Sequence, residues 1–252
     1  MIVSPDIISV RISIQILTMT IMIIEYSLLI ITSLYTLINK ALISKSKYNM
    51  KPLFIVIEGI DGCGKTTQID LLKNRFKSKN LKVIETAEPT DGPIGSLIRN
   101  IMKGRVQTDQ STIAALFAAD RLDHINNPVN GMLKKREEGY NIICSRYYFS
   151  NYAFQSEYVP IEWLVSMNSL SKNYIQADYT FYINVDPKVC IERISTGRSE
   201  IEMYENIDKL TKTHEAFLTH FKNHGEGENI HLIDGHQSIE AISDEIWGVV
   251  GA

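Results

Sequence analysis

Gly59-Ile60-Asp61-Gly62-Cys63-Gly64-Lys65-Thr66 is the stretch on which the reading of the fold turns. It fits the phosphate-loop pattern of glycine, four residues, then Gly-Lys-Ser/Thr. The flanks fit as well. Leu53-Phe54-Ile55-Val56-Ile57 is a short apolar, β-branched run, as a buried parallel strand should be. Thr66 to Lys79 reads as a helix with Ile69, Leu72 and Phe76 on one face. A strand entering a glycine turn that opens a helix aims several backbone N–H groups at one point, and the helix dipole favours phosphate there. The candidate phosphate-binding set is Gly59, Ile60, Asp61, Gly62, Cys63, Gly64, Lys65, Thr66 and Thr67. Lys65 would reach the β- and γ-phosphates of a nucleotide and Thr66 would hold Mg2+. A plain strand-turn-helix is the competing reading, and two correct flanks weigh against it.

The chain has 252 residues, but the first 49 differ from the rest. From Met50 onward about 200 residues remain, enough for one α/β domain with a sizeable core. The net charge of −3 gives no general basic field and so no argument for nucleic acid. Cys63, Cys144 and Cys190 show no metal-ligand spacing, and an odd count argues against a disulfide framework. The default compartment is reducing and cytoplasmic. Cys63 reads as a small residue that fits the loop, with a redox switch as the minority reading.

Ile12 to Ile38 is almost wholly apolar, broken by Gln15 and Glu25. Its length permits a membrane helix, and Lys40, Lys45 and Lys47 after it would leave the following domain on the cytoplasmic side. Glu25 near its middle is costly in a lone membrane helix. A signal peptide fits poorly, because the basic start is weak and the apolar stretch too long. Three readings stay open: translation from a wrongly chosen start upstream of Met50, a membrane anchor, or a helix that packs or associates. The domain organisation expected is therefore 1–49 as an apolar extension and 50–252 as the functional domain.

Strands and helices then alternate. Strands are expected at 82–86, 141–144, 179–185 and 230–233. Helices are expected at 93–103, 161–171, 187–194, 204–221 and 239–249, with a long helical region at 110–137 bent at Pro128. Such interleaving implies a five-stranded parallel sheet covered by helices on both faces, with ligands beyond the carboxyl ends of the strands. Phe117 and Arg121 lie four apart on a helix, hence on one face, and Arg146 directly follows a strand. A guanidinium there can grip a phosphate with paired hydrogen bonds, and a ring beside it can stack on a base. Taken singly, Phe117 could be core and Arg121 a surface ion-pair residue. Their joint placement near a phosphate loop points instead to a phosphate-acceptor site.

Four motifs in order carry a resemblance. Ile57 to Gln68, Glu88-Pro89-Thr90-Asp91-Gly92-Pro93-Ile94-Gly95, Leu116-Phe117-Ala118-Ala119-Asp120-Arg121, and Ser145-Arg146-Tyr147 leading to Ala153-Phe154-Gln155 resemble the thymidylate kinases. The resemblance covers about Met50 to Val249. It implies a P-loop NTPase-type fold with a short lid, ATP- and Mg2+-dependent phosphorylation of dTMP to dTDP, and a homodimer. It also implies roles. Phe117 would stack on thymine, Arg121 would hydrogen-bond the base edge, and Arg146 would hold the acceptor phosphate. Asn151 and Gln155 would make polar contacts on the nucleotide side. Asp61 would lie near the sugar and the transferring phosphoryl group, and Asp234 would begin a segment beside the donor adenine.

Three positions depart from the family pattern: Ala87 for an arginine before Glu-Pro, Ser145 for an aspartate before Arg-Tyr, and Phe154 for a tyrosine. Catalysis of phosphoryl transfer also needs positive charge at the moving group. Gly62 and Cys63 leave no arginine inside the loop. The segment Arg193 to Glu200 resembles the family's mobile lid, with Arg198 as first candidate and Arg193 as second. A helix end carrying cations against its dipole is the competing reading. Rival functions are a kinase for another nucleoside monophosphate or a deoxynucleoside, and a nucleotide-binding protein weakened in catalysis.

Overall fold

The computed structural model describes residues 18–38, 51–197, 203–204 and 206–251. The chain divides between Lys51 and Pro52 into two units. The first contains helix α1 (Thr18–Ile38), whose 21 residues are long and apolar enough to cross a membrane. Its side chains are exposed. The hydroxyls of Ser27, Thr32 and Thr36 each donate to a carbonyl one turn earlier.

In the second unit the order is β1 (Phe54–Glu58), α2 (Lys65–Ser78), β2 (Val83–Ala87), α3 (Pro93–Met102), α4 (Gln110–Asn126), α5 (Met132–Glu137), β3 (Asn141–Ser145), α6 (Tyr148–Gln155), α7 (Ile161–Tyr174), β4 (Tyr179–Asn184), α8 (Pro187–Gly197), α9 (Ile207–His224), β5 (Ile230–Asp234) and α10 (Ile239–Val250). The five strands form one parallel sheet in the order β2-β3-β1-β4-β5. Strand β1 lies in the middle, with Val56 opposite Cys144 on one side and Thr180 on the other. Every residue of β1 is buried, and Phe54 to Ile57 are accordingly apolar on both faces, with the acid Glu58 only at the strand's end. Helices α2 and α10 pack on each other and on the sheet, while α4, α6, α7 and α9 form a second linked group. The alternation therefore yields the expected α/β architecture. Because β1 and β3 are neighbours though not consecutive, their carboxyl ends open side by side, and loops leaving them diverge.

Two elements differ from the sequence reading. The long region at 110–137 is two helices rather than one bent helix. Asn127, ahead of Pro128, takes an extended ψ of 124°, as the proline ring demands. Its side-chain oxygen accepts from Val129 N at 2.9 Å, and Gly131 passes so near that a Cβ would lie 2.5 Å from the Asn127 carbonyl oxygen. Helix α6 was not expected at all. Tyr-Phe-Ser-Asn-Tyr-Ala-Phe-Gln is rich in aromatic and polar residues of modest helix propensity, and burial of seven of its eight residues stabilises it instead.

Candidate active site

The phosphate loop leaves β1 through Gly59 at φ 147° and passes Gly62 at φ 80°. A Cβ at Gly62 would meet the Cys190 carbonyl oxygen at 2.5 Å, so α8 requires glycine there. Helix α2 starts at Gly64 with no side-chain cap and no acid in its first turn. Its terminal N–H groups and dipole therefore favour an anion there. Lys65 Nζ curls back over the loop, donating to the carbonyls of Gly59 and Ile60 at 2.9 Å each. Ile60 and Cys63 are core residues, whereas Thr66 and Thr67 are exposed at the helix start.

The acceptor side grows from the adjacent strand. Arg146, directly after β3, sits at φ 69°, a left-handed conformation that costs a non-glycine residue about 1–2 kcal/mol. Buried Glu58, the last residue of β1, holds the turn. Its Oε1 accepts from Tyr147 N at 2.8 Å and from Ser150 N at 3.3 Å, and its Oε2 from the Ser150 hydroxyl at 2.6 Å. Glu58 thus caps α6 from another strand. Burial raises its pKa, opposed by the Ser150 hydrogen bond and the charge of Arg146. So fixed, Arg146 donates to Asp61 Oδ1 at 2.6 Å and to Ser150 Oγ at 3.2 Å, with its guanidinium 4.9 Å from the Phe154 ring centre.

Arg121 is almost fully buried on α4. Its Nε and Nη2 both engage Glu88 Oε2, at 2.8 and 2.6 Å, and its Nη1 donates to Asn168 Oδ1. Burial opposes the charge of Arg121, but Glu88 beside it raises the pKa overall. Glu88 Oε1 lies 3.1 Å from His124 Nδ1, and His124 Nε2 meets Thr86 Oγ1 at 2.6 Å. From Arg121 a second chain runs on: Asn168 donates to Asn151 Oδ1 at 2.9 Å, and Asn151 to Gln155 Oε1 at 3.0 Å. Arginine, asparagine and glutamine on three helices are thereby locked as one polar unit.

These groups border one cavity of about 250 Å³. Phe117, Arg121, Arg146, Asn151 and Gln155 all line it, and so does Asp61 from the phosphate loop. Lys65 is not a lining residue but lies 3.8 Å from Asp61. Arg193, exposed on α8, reaches back to the loop, its Nη1 3.4 Å from the Gly62 carbonyl oxygen. Arg198 lies outside the described residues. The sequence reading assigned no part to Glu58, Arg99, Asn168 or Tyr204. Glu58 carried a signal, a lone acid ending an apolar strand. Asn168 carried none, since nothing local separates it from a surface asparagine.

A phosphate loop at the switch of a parallel sheet, sharing its aspartate with an arginine-lined cavity large enough for a nucleotide, defines a P-loop protein built for phosphoryl transfer between two small molecules. Residues 57–246 match the family model described as Thymidylate kinase. Similar proteins include a probable thymidylate kinase of Caldivirga maquilingensis, 32% identical over 201 residues, covering 79% of this chain and 93% of that one. A probable thymidylate kinase of Methanocaldococcus jannaschii is 34% identical, covering 78% and 94%. A thymidylate kinase of Acholeplasma laidlawii is also 34% identical, covering 75% and 94%. The chain belongs to the thymidylate kinase family.

Proposed function

We propose that the chain phosphorylates dTMP to dTDP, with ATP as donor and Mg2+ as its partner ion. The observation that carries this reading is the shared cavity: Asp61 of the phosphate loop and Phe117, Arg121 and Arg146 of the acceptor side face one space. The uncapped start of α2, free of acids, fits a polyphosphate, and exposed Thr66 Oγ1 fits a ligand of the phosphate-bound ion. Bound there, Mg2+ would neutralise charge on the β- and γ-phosphates.

The protein's own groups act by position and charge. Lys65 exchanges its two loop carbonyls for phosphate oxygens. Arg146 holds the acceptor phosphate while Asp61 holds Arg146, which keeps the attacking oxygen in line with the loop. Phe117 stacks on the base, and Arg121, fixed by Glu88 and Asn168, reads its edge, with Asn151 and Gln155 completing the polar wall. Arg193 and Arg198 close from the lid side and add charge at the moving phosphoryl group.

The catalytic unit is assigned to 50–252, working in the cytoplasm, and the N-terminal extension has no part in the chemistry. A homodimer is supported by Trp163, Leu170 and Tyr174, exposed apolar residues at helical spacing on α7. A coupled ADP-release assay over dTMP, dUMP, UMP, CMP, AMP and thymidine tests the function, with Lys65→Ala as the inactive control. Preference for another member of the panel overturns the substrate assignment. A Lys65→Ala protein that still phosphorylates dTMP overturns the loop assignment.

A further inference from the structure

Next to the acceptor cavity, three segments bring a nitrogen, an oxygen and a sulfur donor together: His124 on α4, Glu88 on the loop after β2, and Cys144 on β3. One such atom of each lies within 4.8 Å of the others. The sheet register sets this up. Thr86 and Cys144 stand opposite each other on β2 and β3, so their side chains share one face, and His124 Nε2 meets Thr86 Oγ1 at 2.6 Å. Glu88 and Cys144 are both buried.

The outer partners that a metal site needs are also in place. Glu88 gives only Oε2 to Arg121, and its Oε1 lies 3.1 Å from His124 Nδ1. Two such donors at a tetrahedral zinc lie about 3.3 Å apart, so an ion can take the place of the proton between them with little movement. His124 with its proton on Nε2 then donates to Thr86 Oγ1, the outer hydrogen bond that orients a metal-bound imidazole. Arg121 holds the carboxylate in the same way. The Cys144 thiol donates to the Arg146 carbonyl oxygen at 3.1 Å. On binding it releases that proton to solvent and turns its thiolate to the ion. Imidazole and thiolate donors select zinc over Mg2+, which takes oxygen. Glu88 lines the acceptor cavity, which gives the ion and a water as fourth ligand a way in.

We infer that Glu88, His124 and Cys144 form a binding site for a zinc-type divalent cation, separate from any ion held with a nucleotide at the phosphate loop. Bound there, the ion ties α4 to β3 and to the loop after β2. The inference does not depend on which nucleotide fills the cavity.

The test is titration of the full chain with Zn2+ and with Co2+ in excess Mg2+, which occupies oxygen-only sites. Expected are one ion per chain, a near-ultraviolet thiolate-to-cobalt band that Zn2+ bleaches, and a melting temperature raised by Zn2+. The chain has three cysteines, so the Cys63→Ser/Cys190→Ser double variant must keep the band and Cys144→Ala must lose it. His124→Gln should weaken Zn2+ about tenfold or more. Cys144→Ala alters the core, and if it does not fold, the double variant decides which thiol binds. A band lost with Cys63 and Cys190 overturns the inference. So do Co2+ binding without a thiolate band, no binding at all, or an affinity unmoved by His124→Gln.

Discussion

Arg146 Nη2 and Asp61 Oδ1 stand 2.6 Å apart and tie the acceptor side of the site to the phosphate loop. The two residues come from different strand exits, 85 positions apart in sequence. The guanidinium proposed to hold the acceptor phosphate is therefore mechanically linked to the phosphate loop. If the pair acts as one unit, its members cannot be removed independently. Asp61→Ala and Arg146→Ala should each lower kcat/KM for dTMP by about 100-fold or more, and the double variant should be far less impaired than the product of the two. Strictly multiplicative losses in this cycle count against the linkage.

Arg121 carries a structural load through Glu88 and Asn168, and the recognition role proposed for it can be separated from that load. Arg121→Ala strands Glu88 as a buried, uncompensated carboxylate, at a cost of about 3–5 kcal/mol in unfolding free energy. Replacing the pair together, as Arg121→Met with Glu88→Gln, should restore most of that stability. Binding of dTMP should stay weak in the double variant, because the base edge has lost its donor. Denaturant unfolding and the KM for dTMP measure the two effects. A stable double variant with wild-type KM removes Arg121 from recognition.

The lid arginines should affect rate rather than acceptor affinity. Arg193→Ala is expected to lower kcat by about 10-fold or more, and Arg198→Ala by orders of magnitude, with KM for dTMP nearly constant. Steady-state kinetics at saturating ATP check this. Retention of most turnover by Arg198→Ala would falsify its assignment.

His220 should govern part of the acid sensitivity. It is buried on α9, with Nε2 2.9 Å from Ser156 Oγ, and burial and then the nearby His224 lower its pKa from 6.5 to about 4. The native state thus disfavours the proton that the unfolded chain accepts. The stabilisation is complete above pH 6.5 and is lost as pH falls toward 4, amounting to about 2–3 kcal/mol by pH 4.5. Urea midpoints at pH 7.5 and 4.5 report the loss, and His220→Phe should flatten it. An equal loss in that variant assigns the acid limb to other groups.

Much of the fold was legible because its signals are local. The β1 run, the glycine turn and the apolar spacing of α2 lie within 25 residues, and the strand at 230–233 needed only its own composition. Helix α6 was not legible, because Tyr148 to Gln155 is helical only by virtue of what buries it. The candidate site divides in the same way. Lys65 was marked by the motif and Arg146 by its place after a strand. Asn168 was invisible, since its importance comes from Arg121 and Asn151, neither of which is near it in sequence.

By itself the chain of residues determined the sheet type, the phosphate loop and the identity of the groups available for chemistry. These depend on backbone periodicity, glycine's access to positive φ and side-chain type, all properties of short segments. Tertiary structure alone decided which of those groups pair with one another. Glu88 pairs with Arg121 in the interior, Asp61 with Arg146, and exposed Asp91 with Arg99. Charge pairing falls off over a few ångströms, so it follows proximity in space, and only the folded chain brings residues from α3, α4 and the loops after β1, β2 and β3 within that range.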